Sequence, residues 1–101
     1  MSELGDLRKL FTRCVVKLLT FMLEEGDQPM IGKDGLKHMK GSLHYDGLAI
    51  DIDLYKDGKY LDKTEDHKVF GEFWESLSPL CCWGGRFKDG NHYSIAYQGR
   101  K

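Results

Sequence analysis

The chain lacks the features that would place it in a membrane or send it through an export pathway. Its longest apolar stretch, Cys14 to Leu23, is interrupted by Lys17 and is too short to span a bilayer. There is no basic-then-apolar leader with a small-residue cleavage site. We therefore expect synthesis in the cytoplasm without a signal peptide, and no stable insertion into a membrane.

An excess of charge of one sign is also missing. The 15 basic and 16 acidic residues leave a net charge of -1, with a pI near 6.4. This balance offers no attraction to phosphate groups, so it argues against a nucleic-acid partner. Internal repeats and Pro- or Ser-rich linkers are absent as well. We expect a single domain over residues 1 to 101 and a monomer.

Cysteine is scarce, and its placement argues against a disulfide framework. The three residues, Cys14, Cys81 and Cys82, are odd in number and two of them are adjacent. Thiolates bind zinc well, which makes the Cys81-Cys82 pair a rival metal site. No CxxC or other finger spacing occurs, however, so we expect structural thiols rather than ligands.

A strand is the clearest element that the sequence does contain. From Leu48 to Tyr55, apolar residues alternate with Asp51, Asp53 and other residues of the opposite face, which is typical of a half-buried strand. Asp57-Gly58 follows and predicts a hairpin turn into a second strand. Another short strand is expected to begin at His92.

Two amphipathic helices are predicted on either side of this hairpin. The first ends near Gly26 and carries one apolar stripe, which indicates a core helix more than a membrane-active one: Leu7, Leu10, Phe11, Cys14, Val15, Leu18 and Met22. The second is capped by Thr64 and buries a similar face: Val69, Phe70, Phe73, Trp74 and Leu77. These elements predict an α+β fold with a small antiparallel sheet and helices packed on one face.

Four polar residues make up the inventory of a catalytic zinc site. Such a site holds its ion with three nitrogen or oxygen ligands and leaves a fourth position for water, beside a base that takes the proton of that water. His44, Asp51 and His92 would be the ligands of the zinc ion (Zn²⁺). Asp89, three residues before His92, would be the base.

The same residues carry a resemblance to a known family. The pattern Ser-x-His-x-x-Gly-x-Ala-x-Asp over residues 42 to 51, followed by Trp83-Gly84-Gly85 and Asp89-x-x-His92, resembles the M15 zinc peptidases, the D-Ala-D-Ala carboxypeptidase and VanY-like group. Its closest branch is the phage endolysins that act as L-alanyl-D-glutamate endopeptidases. The resemblance covers roughly residues 30 to 97. It implies an M15/hedgehog-like zinc peptidase fold with the zinc site at the sheet edge.

Roles for further residues follow from the resemblance. It implies that Asp89 is the catalytic acid and base, that Ser42 lies beside the metal and orients the site or the substrate, and that zinc is bound by the three ligands His44, Asp51 and His92. Trp83, with the glycines after it, is a candidate wall of the substrate cleft, and core packing is the alternative. The family's Tyr-Arg-Ser segment is missing upstream, where lysines stand instead: Lys33, Lys37 and Lys40.

The remaining polar candidates have ordinary explanations. His38 and His67 match no motif position, and we expect both to be structural. Asp53 shares the strand face of Asp51, so it is either close to the metal site or simply exposed.

The function implied is that of a zinc metallopeptidase acting on peptidoglycan stem peptides, as a phage-type endolysin that cleaves L-Ala-D-Glu. It would be made in the host cytoplasm and act on the cell wall, in the periplasm, after release. One alternative is a D-Ala-D-Ala carboxypeptidase or dipeptidase with the same metal chemistry. The other is a zinc-binding protein of the same fold that does not catalyse hydrolysis.

Overall fold

The computed structural model describes residues 3–32 and 42–101. Lys33, Lys37, His38 and Lys40 therefore lie outside the described residues. Within those ranges two α-helices accompany a five-stranded antiparallel sheet. In chain order the elements are α1 (Glu3–Glu24), β1 (Gln28–Ile31), β2 (Ala49–Lys56), β3 (Lys59–Leu61), α2 (Lys68–Leu77), β4 (Cys81–Trp83) and β5 (His92–Ile95). Single 3-10 turns, Thr64–His67 and Gly84–Phe87, precede α2 and follow β4.

The long strand β2 organises the sheet. The strand order is β1-β2-β5-β4, and β3 also pairs with β2. β5 pairs with the first part of β2 and β3 with its last part, while β1 covers the opposite edge. The turn from β2 to β3 has positive φ at both Asp57 (52°) and Gly58 (77°), as a type I′ hairpin requires. The hairpin prediction is confirmed.

The predicted alternation along β2 is confirmed and sets which face meets the helices. Ile52 and Leu54 are fully buried, whereas Asp51, Asp53 and Tyr55 are only partly covered on the opposite face. On the inner side Trp74 of α2 contacts Tyr93 of β5 edge-on, with 5.8 Å between ring centroids. The buried core draws on both helices and the sheet: Cys14, Leu18, Met22, Ile52, Leu54, Phe70, Trp74, Trp83, Tyr93 and Ile95. The α+β architecture with a small antiparallel sheet is therefore as expected.

The apolar stripe of α1 faces this core. Cys14, Leu18 and Met22 are buried, and the other apolar members of the stripe pack around them. Of the helices described, none has both the length and the apolar character needed to cross a membrane.

Two details predicted for the second helix are wrong. The N-cap of the helical segment is Lys63 rather than Thr64, which is the first residue of the 3-10 turn, and the Asp66 carboxylate accepts the backbone N–H of Lys63 at 3.1 Å. Val69 is 52% exposed, since α2 turns Phe70 and Trp74 toward the core instead.

Candidate metal centre

Asp51 and His92 face each other across two paired strands. The antiparallel register pairs Asp51 of β2 with His92 of β5, so both side chains project from the face opposite the core. They form the last pair of this ladder, and His92 is the first residue of β5. The site lies on interior strands, where their pairing ends. The expectation that the site lies at the sheet edge is therefore wrong, because β1 and β4 are the end strands in the order β1-β2-β5-β4.

His44 reaches the same place from a tight turn before β2. The backbone N–H groups of Tyr45, Asp46 and Gly47 bond back to the carbonyls of residues 42 to 44. Leu43 anchors the turn with only 2% of its surface exposed. Gly47 closes it at a φ of 72°, in the left-handed region that glycine adopts without strain.

Two arginines that the sequence did not single out hold this turn. Arg8 of α1 donates from Nε to the Asp46 carbonyl at 2.7 Å. Arg100, near the end of the described chain, pairs with the Asp46 carboxylate at 2.8 Å. Both contacts join segments far apart in the chain, so no local pattern could have revealed them.

Ser42 acts on His44 through the backbone. Its hydroxyl oxygen accepts the backbone N–H of His44 at 3.2 Å. Ser42 thereby helps to fix the conformation from which the imidazole projects. The role of Ser42 in orienting a metal site or a substrate stays a prediction.

The ligand atoms of the three residues converge. Asp51 Oδ1 lies 3.6 Å from His44 Nε2 and 3.5 Å from His92 Nδ1. One ligand atom from each residue falls within 4.8 Å of the others. These separations exceed the 2.7–3.2 Å of a good hydrogen bond. They are close to the roughly 3.3 Å expected between ligands about 2.0–2.1 Å from a tetrahedral zinc. The group can therefore hold a metal ion.

The burial of the group leaves one side open. The imidazole side chains of His44 and His92 are 7% and 10% exposed, whereas the Asp51 side chain is 24% exposed. The other ring nitrogen of His92, Nε2, is buried and has no hydrogen-bond partner among the described residues. Nδ1, which faces Asp51, is therefore the nitrogen of His92 that is placed to bind an ion. Water or a substrate would reach an ion at this position from the side of the Asp51 carboxylate.

Asp89 lies next to the cluster along the chain but outside it. Its backbone carbonyl accepts the N–H of His92 at 3.1 Å, and its own N–H donates to the Gly84 carbonyl at 2.9 Å. Any Cβ at Gly84 would lie 2.2 Å from the Asp89 carbonyl oxygen, so this packing requires glycine. The Asp89 side chain is exposed and is not one of the three grouped ligands. Its role as base stays a prediction.

Trp83 is packed inside the protein. Its side chain is 3% exposed, and Nε1 donates to the Gly90 carbonyl at 2.8 Å. A Cβ at Gly71 or Gly85 would lie 2.0 or 2.2 Å from the ring. An indole so enclosed offers a substrate little surface. Of the two predictions for Trp83, the structure therefore shows core packing, and the indole also holds the 84–91 loop that carries Asp89.

The cysteines form no comparable group of ligands. Cys81 Sγ lies 3.9 Å from Cys14 Sγ inside the core, whereas Cys82 points to the other side of β4, toward the Leu80 carbonyl. Burial, reinforced by the neighbouring Cys14, raises the pKa of Cys81 to about 12. Within residues 3–32 and 42–101, only His44, Asp51 and His92 form a group of three side chains placed to hold an ion.

His67 is a structural residue, as expected. It is buried, its Nδ1 lies 2.8 Å from the Tyr93 hydroxyl, and desolvation lowers its pKa from the usual 6.5. It lies on the core side of β5, with no member of the cluster among its hydrogen-bond partners.

Comparison of the chain with protein-family models, with curated proteins and with solved structures found no match.

Proposed function

We propose that this protein is a zinc metallopeptidase that hydrolyses peptidoglycan stem peptides, as an endolysin that cleaves between L-Ala and D-Glu. The observation that carries the proposal is the convergence of His44 Nε2, Asp51 Oδ1 and His92 Nδ1 on the outer face of the sheet. Two imidazoles and a carboxylate form a ligand set suited to catalytic zinc. The motif resemblance supplies the substrate class.

The three ligands would hold the ion and leave it accessible from the Asp51 side. Zinc bound there supplies Lewis-acid chemistry, which activates water and polarises a peptide carbonyl. The Asp89 carboxylate takes the proton of the attacking water and passes it to the leaving amine nitrogen. Its exposed side chain, on the loop that leads into His92, is accessible to water and peptide.

Among the described residues, the two arginines that contact the His44 turn are already engaged, and this favours an endopeptidase over a carboxypeptidase. A carboxypeptidase needs a cation to bind the terminal carboxylate of its substrate. Arg8 and Arg100, which flank the His44 turn, both bind Asp46. An endopeptidase has no terminal carboxylate to hold, so this arrangement suits it.

Digestion of purified peptidoglycan by the zinc-loaded protein tests the proposal. We expect new L-Ala carboxyl ends and D-Glu amino ends in the mass spectrum of the products. Asp89→Asn should keep its zinc and lose about 10²- to 10⁴-fold in rate, as expected when a general base is removed. Asp57→Asn is the matched control, because Asp57 lies in the exposed β2–β3 turn and asparagine also tolerates its positive φ.

Other outcomes select the alternatives. Release of D-Ala would identify a carboxypeptidase or dipeptidase. Binding of zinc without any cleavage would identify a non-catalytic zinc-binding protein. Loss of zinc in Asp89→Asn would contradict the role of Asp89 as a base, since it would then support the ion.

A further inference from the structure

A groove extends from the metal cluster along the outer face of β2. It has a volume of about 420 Å³ and contains residues from β1, from β2 and from the segment before β5. Those that matter here are Met30, Gly32, Asp51, Asp53, Tyr55 and Asn91. A peptide bound at the cluster can therefore continue along this face.

Asp53 places a second carboxylate in the groove. Asp53 follows Asp51 by two residues on the same face of β2. A rise of about 3.3 Å per residue puts the two positions about 7 Å apart along the strand. Its Oδ1 accepts hydrogen bonds from Asn91 Nδ2 at 3.4 Å and from the Tyr60 hydroxyl at 3.5 Å. Both donors are neutral and both bonds are long. No cationic side chain among the described residues pairs with Asp53, so within that part of the chain no ion pair balances its negative charge.

The surroundings of Asp53 suit an ammonium group. Tyr60 packs against Tyr55 with 5.3 Å between ring centroids, and Met30 lies opposite Asp53 on β1. Burial and the Asp53 carboxylate raise the pKa of Tyr60, which keeps its hydroxyl protonated. An ammonium group can donate to the carboxylate while its methylene carbons contact the aromatic rings. The tyrosine faces add attraction for a cation.

A metal ion fits this position poorly. Calcium takes six to eight oxygen ligands. The polar contacts of Asp53 among the described residues are an amide nitrogen and a phenol, each already donating to the carboxylate.

We propose that Asp53 is a specificity-determining residue that binds a primary ammonium group on the side chain of the peptide substrate. This inference rests on the proposed peptidase function. Because an extended peptide advances about 3.3 Å per residue, the ammonium-bearing residue lies about two positions from the bond that is cut.

Two synthetic peptides test the proposal with the zinc-loaded protein. They share one sequence and differ only in a side-chain amine that is free in one and acetylated in the other. We expect the free-amine peptide to have about tenfold higher kcat/KM, typical of one charge-assisted contact. In Asp53→Asn, which keeps the side-chain shape, the ratio should fall to about one. Asp57→Asn removes a carboxylate from the distant turn and should keep the tenfold ratio.

A binding measurement separates this proposal from the peptidase function itself. The free-amine peptide should shift the NMR signals of the Asn91 side-chain amide in the wild type and not in Asp53→Asn. If this shift occurs but neither peptide is cleaved, the proposed function fails and the subsite stands. Cleavage without an amine preference would overturn the subsite, as would an equal loss for both peptides in Asp53→Asn. A shift caused by calcium and not by the peptide would overturn it in favour of an ion site.

Discussion

His44, Asp51 and His92 meet on the outer face of the sheet, whereas Cys14 and Cys81 meet inside the core. Both groups consist of residue types that bind metals. In the first, three atoms on one turn and two strands point toward a common position, and the Asp51 side chain remains 24% exposed. In the second, two thiols lie 3.9 Å apart, and burial keeps Cys81 protonated at neutral pH.

The difference shows how sequence spacing misleads on a strand. Cys81 and Cys82 are neighbours in the chain, but successive side chains of a strand point to opposite faces. They therefore cannot bind the same ion from β4. Asp51 and His92 are far apart in the chain, yet they are a cross-strand pair with side chains on one face.

The largest effect should come from removing a ligand of the outer group. We expect His92→Ala to abolish stoichiometric zinc binding, because two ligands remain where a catalytic zinc site has three. Cys81→Ala is the matched control in the inner group and should keep one zinc per chain. Metal analysis after dialysis measures both, with circular dichroism as the check of folding. Zinc retained by His92→Ala and lost by Cys81→Ala would reverse the comparison.

A smaller effect is expected from Gly32→Ala, which leaves all ligands in place. A Cβ at Gly32 would lie 3.0 Å from the Asp51 carbonyl oxygen and 3.1 Å from the Asp51 Cβ. Relief of this contact by a few tenths of an ångström is expected to displace Asp51. We expect zinc affinity to fall about tenfold, as for other changes that disturb the orientation of a ligand.

Competition with a chromophoric chelator measures this change in affinity. Gln28→Ala, at the exposed start of strand β1, which Gly32 directly follows, is the control and should bind zinc as the wild type does. An unchanged affinity in Gly32→Ala would mean that β1 moves away more easily than Asp51.

The smallest expected effect is a difference in thiol reactivity that involves the inner group, and it is measured on the protein without any substitution. Burial and the neighbouring Cys14 raise the pKa of Cys81, so at pH 8 very little of it is present as the thiolate, which is the reactive form. Burial also raises the pKa of Cys82, but Cys82 is only partly buried. A thiol reagent at pH 8 should therefore modify Cys82 first in the native protein.

Mass spectrometry of the modified peptides gives the order of reaction, and denatured protein, in which all three thiols should react, is the control. Earlier modification of Cys14 or Cys81 would show that the core between α1 and β4 opens readily.

Local patterns predicted much of the fold and parts of the site. The alternation from Leu48 to Tyr55, the Asp57-Gly58 turn and the stripe of α1 each depend on neighbours in the chain, and each is confirmed. The prediction failed for Val69 because the type of an apolar residue near the start of a helix does not determine which face of the helix packs against the core. The roles of Arg8 and Arg100 were missed because their contacts with Asp46 join distant segments.

By itself, the sequence identified the three residues that the structure groups as able to hold a metal ion. It also determined the face of β2 on which Asp51 lies, because a strand has a period of two residues. Only the tertiary structure decided that His92 stands opposite Asp51, since a register shift of one residue would turn His92 toward the core. The tertiary structure also enclosed Trp83 and placed Asp53 in an open groove beside the cluster. Those positions follow from how the strands pair and how the helices pack, which no short stretch of sequence contains.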